Sequence, residues 1–129
     1  MQFVIDQASD RPVYQQIIDA VKREIALGRL RPSDKLPTVR QLAQQIVINP
    51  NTIAKSYRYL EQAGIITTRP GAGAFVSETK SQLSLTVRKK IVAEMLELAV
   101  IEAISLGIDK PTLTESFEKV SYKFNFKKS

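Results

Sequence analysis

The side chains of this chain that could do chemistry are cations and amides, and they are gathered in one stretch. Arg40, Asn49, Asn51, Thr52, Lys55, Arg58 and Arg69 follow one another closely, with Gly71 and Gly73 just beyond. Arginine and lysine neutralise phosphates, asparagine can pair bidentately with an adenine edge, and glycine lets a backbone come close to a partner. These are the means of nucleic-acid recognition. The usual means of catalysis are missing, because the chain has no histidine and no cysteine: the commonest general base, thiol chemistry, disulfides and the ordinary zinc sites all go with them. Glu94, Glu97 and Glu102 could suggest acid–base or metal chemistry, but at that spacing and without histidine they read as the wet face of a helix. GAGAF is not a P-loop, since neither GKS nor GKT follows. Neither an enzyme nor a cofactor is expected.

Charge placement sharpens this reading. The 129 residues are 43% apolar and 25% charged with a net charge of +6, which suits one compact domain or a small domain with an appendage. Between Lys35 and Ser77 stand Lys35, Arg40, Lys55, Arg58 and Arg69 against Glu61 alone, five minus one, or +4 in a third of the chain. An excess of this kind speaks about partners and not about fold. The N-terminus lacks a secretory signal, and the apolar run from Ile91 to Leu106 is too short and too charged to span a bilayer. A cytoplasmic protein without membrane contact is expected.

The elements that must position these residues follow from periodicity. RPVYQQIIDAVKREIALG predicts an amphipathic helix from about residue 12 to 27, with Pro12 in its first turn, Tyr14, Ile17, Ile18, Val21 and Ile25 inward, and Gly28 as its stop. The loop RLRPSDKLP leads to Thr38 and Gln41, a capping box before a short helix over residues 39 to 46. In INPNT, Asn49 is a favoured N-cap and Pro50 occupies the first helical position, where its missing N–H is no loss. The proline therefore starts a third helix, residues 50 to about 63. It buries Ile53, Tyr57 and Leu60 and presents Asn51, Lys55, Arg58 and Gln62. Only Val47, Ile48 and Asn49 separate it from the second helix, a helix-turn-helix spacing that lacks the usual glycine. IITTRPGAGAFVS then predicts a β-hairpin with strands over 65–68 and 74–77. Helix, helix-turn-helix and hairpin make a winged helix, assigned to residues 1–77.

Residues 78–129 form the second region. ETKSQ reads as a linker or helix entry, and a helix runs from about Leu83 to Leu106 with two adjoining apolar stripes, one of them Val87, Ile91, Met95 and Leu98. A last helix opens on Thr112 and Glu115 as a capping box and carries Leu113, Phe117, Val120 and Phe124 as one stripe; FKKS at the end is expected to fray. One stripe cannot cover two. A second copy of the chain can, so Val87, Ile91, Met95, Leu98, Phe117 and Val120 are assigned to a homodimer interface.

Each site residue also has a plainer explanation. Arg40 could be a solvated helix residue; on the second helix it points to the DNA backbone or a guanine edge. Asn49 satisfies the cap alone, which leaves Asn51 for base reading, while Thr52 is divided between internal bonding and DNA. Lys55 and Arg58 suit phosphates. Arg69, Gly71 and Gly73 could be only a tight turn, or a wing for the minor groove, where negative potential attracts arginine. Tyr14 and Tyr57 read as core, and Tyr59 is undecided.

LPTVRQLAQQIVINPNTIAKSYRYLEQAGIITTRPGAGAFV resembles the DNA-binding domain of the GntR family of bacterial transcription regulators, over about residues 10 to 77. The NPNT variant and the tail of about fifty residues are similar to the YtrA subfamily. The resemblance implies that Arg40, Asn49, Asn51, Thr52, Arg69 and Gly71 stand where relatives contact DNA, and that the partner is a double-stranded operator controlling a transporter-type operon and the protein's own gene. Ser33 departs from the family's frequent glycine before LP, and Ala74 from a common threonine in the wing. The fold class expected is mainly α with a small β-hairpin, a winged helix-turn-helix followed by a two-helix tail. The rival reading is a winged helix used for protein–protein contact. A small-molecule effector is left open.

Overall fold

The computed structural model describes residues 3–78 and 83–124, so most of the ETKSQ linker and the FKKS end lie outside the described residues. The chain divides into two compact units, Met1–Lys80 and Ser81–Ser129. In the first unit the order is α1 (Val13–Ala26), α2 (Val39–Ile46), α3 (Pro50–Gln62), β1 (Ile66–Arg69) and β2 (Gly73–Val76); in the second it is α4 (Leu85–Ser105) and α5 (Lys110–Ser121). No helix is long and apolar enough to cross a membrane among the described residues.

The core of the first unit is the meeting of three helical stripes with the hairpin. Ile17, Ile18 and Val21 of α1, Leu42 and Ala43 of α2, and Ile53, Tyr57 and Leu60 of α3 are buried together with Leu36, Ile66 and Val76. Packing of α3 against α1, α2 and β1 makes it the central element. The inward residues expected from periodicity are buried or half-buried, with two additions, one of them Glu24 of α1, which the spacing put off the inward stripe. Ser56 is fully buried on α3, and its hydroxyl lies 2.8 Å from the Tyr14 carbonyl and 3.2 Å from that of Thr52, so its polarity is satisfied inside the core.

Helix starts follow local chemistry. Thr38 and Gln41 form the expected reciprocal capping box, and the Asn49 side chain accepts from the Asn51 N–H at 2.9 Å. Pro12 stands at the N-cap of α1, one position before the first helical turn. At α5 the expectation is corrected. The cap is Asp109, whose carboxylate accepts from the Thr112 N–H at 2.9 Å, which puts Thr112 inside the helix after Lys110 and Pro111. That hydrogen bond holds the Asp109 carboxyl below its ordinary pKa. Asp109 followed by proline supplies the cap earlier, and a helix starts at the first good one.

Helix ends share one device. At the end of α3, Ile65 N–H donates to Leu60 C=O and Gly64 N–H to Glu61 C=O, at 2.9 and 3.0 Å, with Gly64 at φ 76°. This is a Schellman closure. It occupies Ile65, so β1 begins at Ile66 and the hairpin runs one residue later on its first strand and one earlier on its second than the composition suggests. At the end of α2 a related closure occurs without glycine: the Val47 and Ile48 N–H groups both donate to Ala43 C=O, the latter at 3.2 Å, and Val47 takes the left-handed position at φ 54°. A β-branched residue there is strained by about 1–2 kcal/mol. Ser33 is likewise left-handed, at φ 73°, where the resemblance led one to expect glycine.

In the second unit, α4 is apolar on nearly every side and buries only Ala103. The turn between α4 and α5 is closed by Ile108 N–H donating to Ala103 C=O at 2.8 Å. The two helices do not pack along one another. The stripe of α5 therefore leaves Val87, Ile91, Met95 and Leu98 of α4 exposed.

Val47 is 83% exposed, so its strain is not offset by burial. Val47→Asn is expected to raise the unfolding free energy by about 1 kcal/mol in urea titration, since asparagine tolerates the left-handed region.

Candidate nucleic-acid interface

The start of α3 is the front of the unit. Asn49 is engaged as the cap, while Asn51, two residues later, is exposed and uses only its backbone N–H in that cap. Thr52 is partly buried and its carbonyl shares the Ser56 hydroxyl, so its backbone serves the core while part of its side chain reaches the surface. Arg58 is exposed further along. Tyr57 faces the other way, its hydroxyl donating to the Pro37 carbonyl at 2.7 Å. Burial pushes the Tyr57 phenol pKa well up, so the hydroxyl stays a donor.

Lys55 has an occupation that its spacing did not suggest. Its ammonium lies 3.9 Å from the centre of the Tyr14 ring on α1. Lys22 of α1 makes the reciprocal arrangement with Tyr59 of α3 at 5.8 Å. The two cation–π contacts tie the flanks of α3 to α1 and give Tyr59, undecided from sequence, a partner. The signal was present as an i-type cation and a ring on two packed helices, but the pairing needs the packing to be known.

Arg40, at the second position of α2, is exposed. Its helix leads into the turn that launches α3, so Arg40 and the front of α3 belong to one helix-turn-helix. Arg69 closes β1 opposite Gly73, and its guanidinium stacks on Phe75 with its central carbon 4.4 Å from the ring centre. Between them Ala72 N–H donates to Arg69 C=O at 3.0 Å, with Gly71 at φ 76°. Pro70 followed by a positive-φ glycine is the chemistry of a type II turn. The tip is exposed from Arg69 through Ala72.

The acidic residues do not build a competing site. No group of three or more carboxylates that could hold a metal occurs among the described residues. Glu61, on α3, accepts a hydrogen bond from the Thr68 hydroxyl. It is thereby turned to the hairpin.

The fold has counterparts in known proteins. The family model described as bacterial regulatory proteins, gntR family, matches residues 13–76, from the first residue of α1 to the last of β2. The HTH-type transcriptional repressor YtrA of Bacillus subtilis (strain 168) is 38% identical over 117 residues, covering 91% of this chain and 90% of its own length. The chain belongs to the gntR family. Like its relatives it is a DNA-binding transcription regulator and not an enzyme. Among solved structures, a transcriptional antiterminator from Listeria monocytogenes EGD-e matches with a TM-score of 0.85 at 25% identity, over 100% of this chain and 97% of that one. AraR(DBD) in complex with operator ORE1 matches with a TM-score of 0.51 at 28% identity, over 60% of this chain and 94% of that one.

The Lys55–Tyr14 contact should be measurable on its own. A double-mutant cycle of Lys55→Met and Tyr14→Leu, read by chemical unfolding, is expected to return a coupling of about 0.5–1 kcal/mol.

Proposed function

We propose that this gntR-family chain is a homodimeric repressor that binds a palindromic operator with α3 in the major groove and the wing at the flanking backbone or minor groove. The observation that carries this reading is the division of α3. Ile53, Ser56, Tyr57 and Leu60 are buried, while Asn51 and Arg58 are exposed, as are Arg40 and the wing tip. The relative YtrA is named a repressor, and AraR(DBD) is held on an operator; both support extending the same action here. In this reading residues 1–77 bind DNA in the bacterial cytoplasm. Arg40, Asn49, Asn51, Thr52, Arg58, Arg69, Gly71 and Gly73 form the contact surface, and Lys55 adds a phosphate contact when it leaves the Tyr14 ring.

Residues 78–129 supply the pairing. Met95, Leu98 and Ile104 of α4 are 67%, 68% and 72% exposed, and Val87, Ile91, Phe117 and Val120 are exposed with them. An exposed apolar surface of this extent marks an association site. A second copy is the occupant that a palindromic operator requires, and it sets the half-sites about 34–36 Å apart or at a multiple of that. Control of a transporter-type operon and of the chain's own gene completes the proposal, with an effector site between the copies left to ligand screening. A winged helix for protein contact alone would not need the net positive stretch from Lys35 to Ser77.

Footprinting on the DNA upstream of the chain's own gene is expected to reveal two protected half-sites related by a dyad. Asn51→Ala should relax the preference at one base pair per half-site by about 1–3 kcal/mol, measured with a panel of single-base operator variants; full selectivity in that variant would remove base reading from Asn51. Met95→Glu, read by analytical ultracentrifugation, should shift the chain towards monomer and weaken operator binding more than binding to half-site DNA.

A further inference from the structure

The wing carries a second cation on the same face as Arg69. Residues directly opposite in an antiparallel pair share a face, so Arg69 with Gly73 and Thr67 with Phe75 lie on one side of the hairpin. Ile66 and Val76 lie on the other, in the core. Lys35 joins the sheet through an antiparallel bridge to Phe75. Two backbone bonds flank that bridge: Leu36 N–H donates to Ala74 C=O at 2.9 Å, and Val76 N–H to Asp34 C=O at 2.8 Å. Facing Phe75, Lys35 belongs to the outward side.

Its side chain runs across Gly73. A methyl group added at Gly73 would stand 3.1 Å from Lys35 Cε and 3.8 Å from Nζ, and Gly73 has φ 117°, which a side chain would strain. Arg69, directly opposite Gly73, is aligned by its stack on Phe75. Lys35 thus crosses Gly73 on the same outward face that carries the Arg69–Phe75 stack.

Neither is neutralised within the unit. No carboxylate among the described residues forms an ion pair with Lys35 or Arg69. The nearby acids are engaged elsewhere: Asp34 accepts from the Arg31 N–H at 2.8 Å, Glu78 from the Ser33 hydroxyl, and Glu61 from Thr68. Two like charges fixed on one face favour an anion between them.

We propose that Lys35 and Arg69 form one seat for a single DNA phosphate across Gly73, adding Lys35 to the surface that holds the duplex. The inference rests on the DNA-binding reading above and deepens it, since it places one grip on the strand that precedes α2.

The test measures binding to a short random-sequence B-form duplex as a function of salt, for the unchanged chain and for Lys35→Gln, Lys35→Arg, Arg69→Gln and the double variant Lys35→Gln/Arg69→Gln. Lys35 and Arg69 are exposed, and thermal melts check that each variant folds. Each phosphate neutralised on B-DNA contributes about 0.9 to the log–log salt slope. Lys35→Gln is expected to weaken binding roughly tenfold, the scale of one charged hydrogen bond, and Lys35→Arg to retain it. The double variant should lose about 0.9 from the slope, as for one shared phosphate. A loss of about 1.8 would mean two separate phosphates and overturn the seat, as would Lys35→Gln binding like the unchanged chain. If the unchanged chain itself bound without salt dependence, the DNA-binding reading would fall first, and that result is distinct from the other two.

Discussion

The first unit depends on α3 being held from behind so that its front can stay free. A recognition helix must expose polar groups at its N-terminal turn, yet a helix of this length is marginal in water without an apolar face to bury. Here the inner face supplies the hold. Ile53 and Leu60 are fully buried, and each such side chain contributes about 1.5–3 kcal/mol by leaving water. Two hydrogen bonds then fix the rotation of the helix: Ser56 to the Tyr14 carbonyl on α1, and Tyr57 to the Pro37 carbonyl just before α2. Apolar burial alone would allow small rotations. Two directional bonds to different neighbours do not, and the direction in which Asn51 and Arg58 point is set by them.

The wing is positioned by the same economy of means. The segment before α2 is a connection in sequence terms, but its backbone completes the edge of the hairpin through Ser33, Asp34 and Leu36. Ser33 adopts the left-handed conformation there, so the loop geometry survives without glycine at some cost in strain. The hairpin thus reaches α2 through backbone hydrogen bonds and α3 through the buried Ile66. Movement of the wing relative to the helix-turn-helix would have to break one of these attachments.

Much of this was legible from short-range patterns. Asn49–Pro50 as a helix start, the Thr38–Gln41 box and the apolar stripes of α1 and α3 depend on residues within a turn or two of each other, and the structure has them where the spacing put them. Legibility failed where two local signals competed or where the partner was distant in sequence. At α5, Asp109–Lys110–Pro111 and Thr112 both offer a cap, and the earlier one prevails. Val47 gave no sign of a left-handed residue because valine is a poor one; the turn's geometry overrides its preference. The Lys55–Tyr14 stack, the Ser56 bond and the Lys35 bridge join residues on separate elements, so periodicity could not reveal them. Of the expected DNA-contacting residues, Arg40, Asn49, Asn51, Lys55, Arg58, Arg69 and Gly71 are exposed on the surface, Asn49 with its side-chain oxygen engaged in the cap.

The apolar circumference of α4 has a consequence beyond geometry. A helix that leaves Met95, Leu98 and Ile104 in water has little reason to persist alone. If a second copy buries it, its folding becomes a bimolecular event, and the stability of the tail rises with protomer concentration. The amount of protein in the cell would then set how much of it is competent to grip both half-sites at once. A regulator built this way carries a gauge of its own abundance in its least polar helix.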